Sequence, residues 1–292
     1  MKCPNPIYIR ATETSGSRTV PCGKCAACRK RIAGQWVTRL EVEFKHASSC
    51  YFVTLTYNEQ NVPYTKSGQQ TLKKSDLQEF LNLLKQYAPY RHFSIGEYGD
   101  KGARPHYHLI LFNFNPIVNP ATGNIVYHRS WGRITSDMLM SNVDIEAVIF
   151  KAWKKGIVQI EPLDGGAINY VANYTVDYSV RSETEDQQKI FALMTRKPPI
   201  GYQYYSDSQI HRYHNMSDFR EKSFYQTNYG RTVLPRLYKD KLYSKPRKEA
   251  IQEHIKRKED KIKHSKLFSK NFYESHANLN DILNKRNQKR KL

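Results

Sequence analysis

The sequence predicts an α+β fold with a basic helical C-terminal arm, and three observations predict it. Short runs of β-branched and aromatic residues alternate with segments of helical spacing. Two of those runs are joined by a Gly-containing link that suits an antiparallel hairpin. The last stretch of chain is dense in Lys and Arg and has no strand pattern.

In order, 51–57 (YFVTLTY) reads as a buried strand, closed downstream by Asn58-Glu59-Gln60-Asn61 and Pro63. The segment 75–87 places Ser75 and Gln78 at capping-box spacing, with Leu77, Phe80, Leu81 and Leu84 at helical intervals. A strand at 91–97 (RHFSIGE) meets another at 105–114 (PHYHLILFNF) through the link YGDKGAR. Residues 119–134 form a turn-rich insertion, and a helical stretch at 137–153 ends at Lys155-Gly156, good stop chemistry. The strand 157–162 (IVQIEP) leads through Asp164-Gly165-Gly166 into a helix at 166–180. The polar, Tyr-rich region 182–235 receives no element. From 236 onward there are 18 Lys and Arg against 7 Asp and Glu. The division that follows is a Cys-rich leader (1–35), a core domain (36–235) and the basic arm (236–292), with no internal repeat.

Composition narrows the partners. Of 292 residues 39% are hydrophobic and 12% aromatic, enough for a real core. Tyr (21) outnumbers Phe (12) and Trp (3), so many aromatics keep a polar end suited to bases and phosphates. The 47 Lys and Arg against 27 Asp and Glu leave a net charge of +20, which points to a polyanion, most commonly nucleic acid. An anionic membrane surface is the rival. However, the sequence has neither a bilayer-spanning apolar run nor a signal-peptide core, so no membrane partner is expected. Five cysteines, an odd number without an export signal, fit a reducing bacterial cytoplasm rather than a disulfide framework.

The chemistry concentrates in Arg104-Pro105-His106-Tyr107-His108-Leu109-Ile110. Side chains alternate on a strand, so His106 and His108 share one face, about 7 Å apart along it. Glu97 ends the preceding strand, and antiparallel pairing brings its carboxylate beside them; Asp100 in the link is a fallback ligand. Two imidazoles and a carboxylate with open positions suit Mg²⁺ or Mn²⁺ on a phosphate oxygen. A bare His-x-His pair is common among ordinary half-buried histidines; the strand context, Glu97 and the tyrosines raise this one above that background.

Those tyrosines are Tyr170 and Tyr174 in YVANY, spaced by four and hence on one helix face. A phenol with its usual pKa near 10 is a weak nucleophile, and a metal that polarises the scissile phosphate is one remedy. Attack yields a 5′-phosphotyrosine link and a free 3′-OH, and the second tyrosine can attack the next junction. Alternatively Tyr170, Tyr174 and Tyr178 form an aromatic core stripe.

Taken in order, YFVTLTYNEQNVP, GEYGDKGARPHYHLILF and YVANYTVDY resemble the three motifs of the HUH rolling-circle endonucleases. With the leader VPCGKCAACRKRIAGQWVTRL, the chain is similar to the replication initiators of gokushovirus-type microviruses over roughly residues 1–240. The resemblance implies a central antiparallel sheet with helices packed on it and a metal site below the tyrosine helix. It implies that His106, His108 and Glu97 are ligands, that Tyr170 and Tyr174 are alternating nucleophiles, and that 54–57 lies near DNA. Related initiators often carry a Lys between or just after the tyrosines, where this chain has Asn173 and Asp177; Arg181 lies about two turns beyond Tyr174.

Cys22-x2-Cys25-x2-Cys28, with Cys3 upstream, can bind a structural Zn²⁺ through four sulfurs; free buried thiols are the alternative. Arg29, Lys30, Arg31, Arg104 and Arg181 are the expected DNA contacts, and the Tyr-rich segment 202–229 the expected reader of bases. The predicted function is nicking and rejoining of single-stranded origin DNA to start rolling-circle replication in the host bacterial cytoplasm, beside a host helicase and polymerase. Two other readings are a non-catalytic DNA-packaging or capsid-associated protein, and a metal-dependent phosphodiesterase that uses water.

Overall fold

The computed structural model describes residues 3–13, 16–99, 103–118, 125–126, 145–163, 165–174, 186–216, 224–227 and 230–263. In chain order the strands are β1 (Ile7–Ile9), β2 (Arg18–Val20), β3 (Cys50–Tyr57), β4 (Arg91–Tyr98), β5 (Pro105–Phe112), β6 (Ile117–Val118), β7 (Ile125–Val126), β8 (Gly156–Pro162), β9 (Phe191–Met194), β10 (Phe224–Thr227) and β11 (Gly230–Val233). The helices are α1 (Ala26–His46), α2 (Lys74–Tyr87), α3 (Ile145–Trp153), α4 (Gly165–Tyr174), α5 (Gln203–Ser206), α6 (Ser208–Asn215), α7 (Arg236–Leu242) and α8 (Lys245–Lys263). The fold is α+β, and none of the described helices is long and apolar enough to cross a membrane.

Two compact units divide the chain: Arg39–Gln203, and Met1–Thr38 with Tyr204–Leu292. The first is built on a five-stranded sheet in the order β8-β3-β5-β4-β9, with every neighbouring pair antiparallel. The pleat sends alternate side chains to opposite faces. On one face Val53, Leu55 and Tyr57 of β3 join Tyr107, Leu109 and Leu111 of β5, all fully buried. There α2 lays down Leu77, Phe80, Leu81 and Leu84, and Trp153 of α3 contacts the rings of Tyr57, Phe80 and Tyr107. Each such apolar side chain contributes about 1.5–3 kcal/mol by leaving water. The other face of the same strands carries Phe52, Thr54, Thr56, His106 and His108.

The start of α2 differs from the capping box read in the sequence. The helix begins at Lys74 behind Lys73, which makes no side-chain cap bond. A buried phenol secures the terminus instead: the Tyr107 hydroxyl accepts from the Lys73 N–H at 2.9 Å and donates to the Lys73 carbonyl at 3.0 Å. Tyr57 hydroxyl donates to Asp76 in that first turn at 2.9 Å and pairs with the Tyr107 hydroxyl at 2.7 Å. Burial pushes the Tyr107 phenol up to about 12 and the Tyr57 phenol higher still, so both remain neutral hydrogen-bonding groups.

Where β8 leaves α3, Gly156 sits at φ 154°, and a Cβ there meets backbone, 2.2 Å from the Thr56 carbonyl oxygen and 2.4 Å from the Asn58 nitrogen. Backbone cannot swing aside as a long side chain does. Gly156→Ala is therefore expected to lower unfolding free energy by at least about 2 kcal/mol, read from denaturant midpoints at constant m. A wild-type midpoint would mean that β8 shifts at no cost.

In the second unit β1 pairs with β2 and β10 with β11. The Thr38 hydroxyl of α1 meets that of Thr232 on β11 at 2.9 Å. The Tyr204 ring stacks on Tyr238 at 4.8 Å, and its hydroxyl pairs with His214 at 2.8 Å, so these Tyr-rich residues pack largely on one another. The leader is not irregular up to residue 35, because α1 already starts at Ala26. Its buried Ala33, Val37 and Leu40 recur at helical intervals, but Gly34 and the flanking cations dilute that signal. The strand β9 lies in the stretch that received no element: four residues are too few to display a period, and pairing with β4 creates it. The insertion 119–134 and the helical stretch before Ile145 lie outside the described residues apart from β7.

Candidate active site

The site lies on the sheet face opposite α2. In the β3–β5 ladder Thr54 stands opposite His108 and Thr56 opposite His106, while β4 sets Glu97 opposite His106. Glu97 is buried at 2% exposure, and its Oε1 lies 2.9 Å from His108 Nε2. That contact needs a proton or a cation shared between nitrogen and carboxylate. The other oxygen, Oε2, is buried with no hydrogen-bond partner. An orphaned carboxylate oxygen in the interior is costly, and a cation beside it would satisfy it.

Thr54 Oγ1 lies 3.0 Å from His108 Nδ1, and Thr56 Oγ1 lies 3.1 Å from His106 Nδ1. Phe52 stacks on the His108 ring, centroids 5.7 Å apart and planes inclined by 10°. The two histidine rings are 6.4 Å apart. Gly99 gives His106 its room, since a Cβ at Gly99 would lie 2.6 Å from His106 Nε2.

From α4 the Tyr170 hydroxyl reaches the same carboxylate oxygen, donating to Glu97 Oε1 at 3.4 Å. Its ring meets His108 edge-on at 5.4 Å and Phe52 at 6.4 Å, and the residue is 40% exposed. Phenol, imidazole and carboxylate thus meet at one point, and the aromatic-stripe alternative does not describe Tyr170. Tyr174 lies one turn on in the same helix; its side chain, with Tyr178, Arg181, Asp177 and Asp100, lies outside the described residues. Arg104 is engaged within the protein, donating to the Tyr57 carbonyl at 2.7 Å and to Glu59 at 2.6 Å. Sequence reasoning assigned no role to Phe52, Gly99 or the two threonine hydroxyls. The T-x-T and H-x-H alternations are visible in the sequence, but their mutual register is not.

A second centre lies in the other unit. The sulfurs of Cys3, Cys22, Cys25 and Cys28 all lie within 4.8 Å of one another, a group that can hold a metal such as zinc. Among the described residues it is the one His, Cys, Asp or Glu group this compact, so the His106, His108 and Glu97 set is wider. Cys22 Sγ accepts the Cys25 N–H at 3.3 Å, and Cys3 Sγ accepts the Cys22 N–H at 3.3 Å. Backbone N–H groups of Cys25 and Lys24 lower the Cys22 thiol to about 6, while burial pushes Cys28 up to about 12 and raises Cys25. Arg31 reaches Cys28 Sγ at 4.0 Å; Lys30 and Arg31 are exposed on α1 and Arg29 is half-buried.

Residues 50–179 match the family model of the ORF2-type replication-associated proteins. The chain is 26% identical over 271 residues to the replication-associated protein ORF2 of Spiroplasma virus 4, covering 89% of this chain and 78% of that one. It is 25% identical over 231 residues to the replication-associated protein VP4 of Bdellovibrio phage phiMH2K, covering 75% and 66%. Against the replication-associated protein ORF4 of Chlamydia phage 1 it is 25% identical over 165 residues, covering 53% and only 37% of the relative. No solved structure matches. Through residues 50–179, which hold the whole ladder of threonine, histidine, glutamate and tyrosine, the chain belongs to the family of ORF2-type replication-associated proteins.

Proposed function

We propose that this protein is a phage replication initiator that nicks and rejoins single-stranded origin DNA through Tyr170 and Tyr174, in the host cytoplasm. The observation that carries the reading is the shared contact at Glu97: its Oε1 takes both His108 Nε2, at 2.9 Å, and the Tyr170 hydroxyl, at 3.4 Å. A nucleophile is thereby held against a candidate ion site. The names of the relatives supply the replication context.

The donor set fits a hard divalent ion, with two imidazoles, a carboxylate and a buried orphan oxygen on that carboxylate. His106, His108 and Glu97 would hold Mg²⁺ or Mn²⁺, whose chemistry there is to polarise the scissile phosphate and steady the leaving oxygen. Glu97 Oε1 is placed to accept the phenolic proton. The Tyr170 oxygen then bonds to phosphorus, the P–O3′ bond breaks, and the 3′-oxygen leaves as a hydroxyl after taking up a proton. The strand end stays on the protein as a phosphotyrosine diester, so the bond can be remade when a 3′-hydroxyl attacks. Tyr174 serves the next junction.

Cations on α1 and beyond residue 236 supply affinity for the phosphate backbone, with Arg181 nearer the tyrosines. Arg104 braces the end of β3 rather than the DNA. We also read the four cysteines as a zinc site. Zn–S bonds of about 2.3 Å in a tetrahedron separate sulfurs by about 3.8 Å. The Cys25–Cys3 and Cys22–Cys28 pairs stand at 3.8 and 3.9 Å.

Incubation with a labelled origin oligonucleotide and Mn²⁺ is expected to give a covalent adduct on a denaturing gel. His106→Ala is expected to abolish cleavage while changing oligonucleotide affinity by less than about threefold, since phosphate contacts carry most binding. Cleavage without adduct would establish a water-using phosphodiesterase, and binding without cleavage a packaging protein.

A further inference from the structure

We propose that Thr54 and Thr56 are positioning residues for the ion, each holding the imidazole opposite it with Nε2 turned to the metal. The proposal rests on reading His106, His108 and Glu97 as the ion site, and it deepens that reading.

An imidazole binds a metal in its neutral form, with a proton on one nitrogen and a lone pair on the other. Which nitrogen carries the proton is decided by the partner of the non-ligating one. Here the partner is the same on both rungs. Thr54 pairs with His108 and Thr56 with His106 in the β3–β5 register, and the Oγ1–Nδ1 distances are 3.0 and 3.1 Å. When each hydroxyl oxygen accepts the Nδ1–H, both Nε2 atoms present lone pairs. The His108 lone pair then faces Glu97 Oε1 across 2.9 Å, an arrangement that an interposed cation makes favourable.

Threonine suits the task for a reason beyond its hydroxyl. It is β-branched and stiff at χ1 in a strand, so the oxygen stays where the backbone puts it. Both threonines are half-buried, which shields their bonds from competing water. Phe52, two residues before Thr54, stacks on the His108 ring at 5.7 Å and restrains it from its face while Thr54 restrains it from its edge. The alternation F-x-T-x-T on β3 is thus a cradle for H-x-H on β5.

The test is Mn²⁺ binding by the full chain without DNA, followed by electron paramagnetic resonance of the unbound ion. The thiolate cluster does not compete, because Mn²⁺ prefers oxygen and nitrogen ligands. Thr54→Val and Thr56→Val, which keep the branched shape, are each expected to weaken Mn²⁺ binding by about 10- to 100-fold. Their ion-free melting temperatures should match that of the wild type, and Thr54→Ser, which restores the hydroxyl, should recover most of the affinity. His108→Ala separates the two layers of the inference. Wild-type Mn²⁺ affinity in His108→Ala would remove the ion site and the proposal with it. Lost affinity in His108→Ala beside wild-type affinity in both valine variants would overturn the positioning role alone.

Discussion

A chain carrying both Tyr170→Phe and Tyr174→Phe is expected to bind single-stranded DNA and form no covalent adduct. The fall in nicking should exceed about 1000-fold, equivalent to more than about 4 kcal/mol of barrier. Phenylalanine keeps the ring, and the ring makes the edge contacts of Tyr170 with His108 and Phe52, so packing survives. What disappears is the oxygen that reaches Glu97 and the only atom of that side chain able to bond to phosphorus. Each single variant should still form adduct, because positions 170 and 174 share a helix face and a turn of helix separates them by about 5.4 Å. Adduct formation by the double variant, measured with the same labelled oligonucleotide, would place the nucleophile elsewhere among the 21 tyrosines.

The parts of this site that were legible beforehand are local in sequence. β4, its link and β5 form a hairpin, so alternation within two adjacent runs was enough to put Glu97 beside the histidines. The helical face of Tyr170 was legible for the same reason. What pairing over long distances decides was not legible. Thr54 and Thr56 lie 54 and 50 residues from their histidines, and a slip of one residue in the β3–β5 register would send both hydroxyls to the opposite face. That register is held by the buried side of the same strands, where Tyr57 and Tyr107 share a hydrogen bond and pin the start of α2. The core face therefore sets the chemistry of the other face, and the unneeded capping box at Ser75 reflects the same tertiary substitution. The cysteines are an intermediate case: the triplet was visible, but the β1–β2 hairpin is what returns the chain so that Cys3 meets Cys22.

Stripping the metal from the cysteine cluster is expected to cost the leader its order. The hairpin it fastens has little else to hold it: Ile7, Tyr8 and Ile9 are 51%, 64% and 37% exposed, and a two-stranded ribbon alone is marginal in water. Structural zinc in small sites is worth about 10–16 kcal/mol, comparable with the whole stability of a domain. The purified chain should therefore carry one zinc per molecule by elemental analysis. After chelation, the amides of residues 7–9, 18–20 and the start of α1 should lose hydrogen-exchange protection, while β3, β4 and β5 keep theirs. Cys28→Ser should reproduce this loss without chelator. Cys50→Ser should not, because Cys50 belongs to β3, where burial pushes its thiol up to about 11 and makes it a poor metal ligand. Unchanged protection in the zinc-free chain would mean that the four sulfurs pack as neutral thiols. The 3.8 and 3.9 Å spacings would then have to arise from hydrogen bonding alone, which the N–H donors to Cys3 and Cys22 support at only two of the four sulfurs.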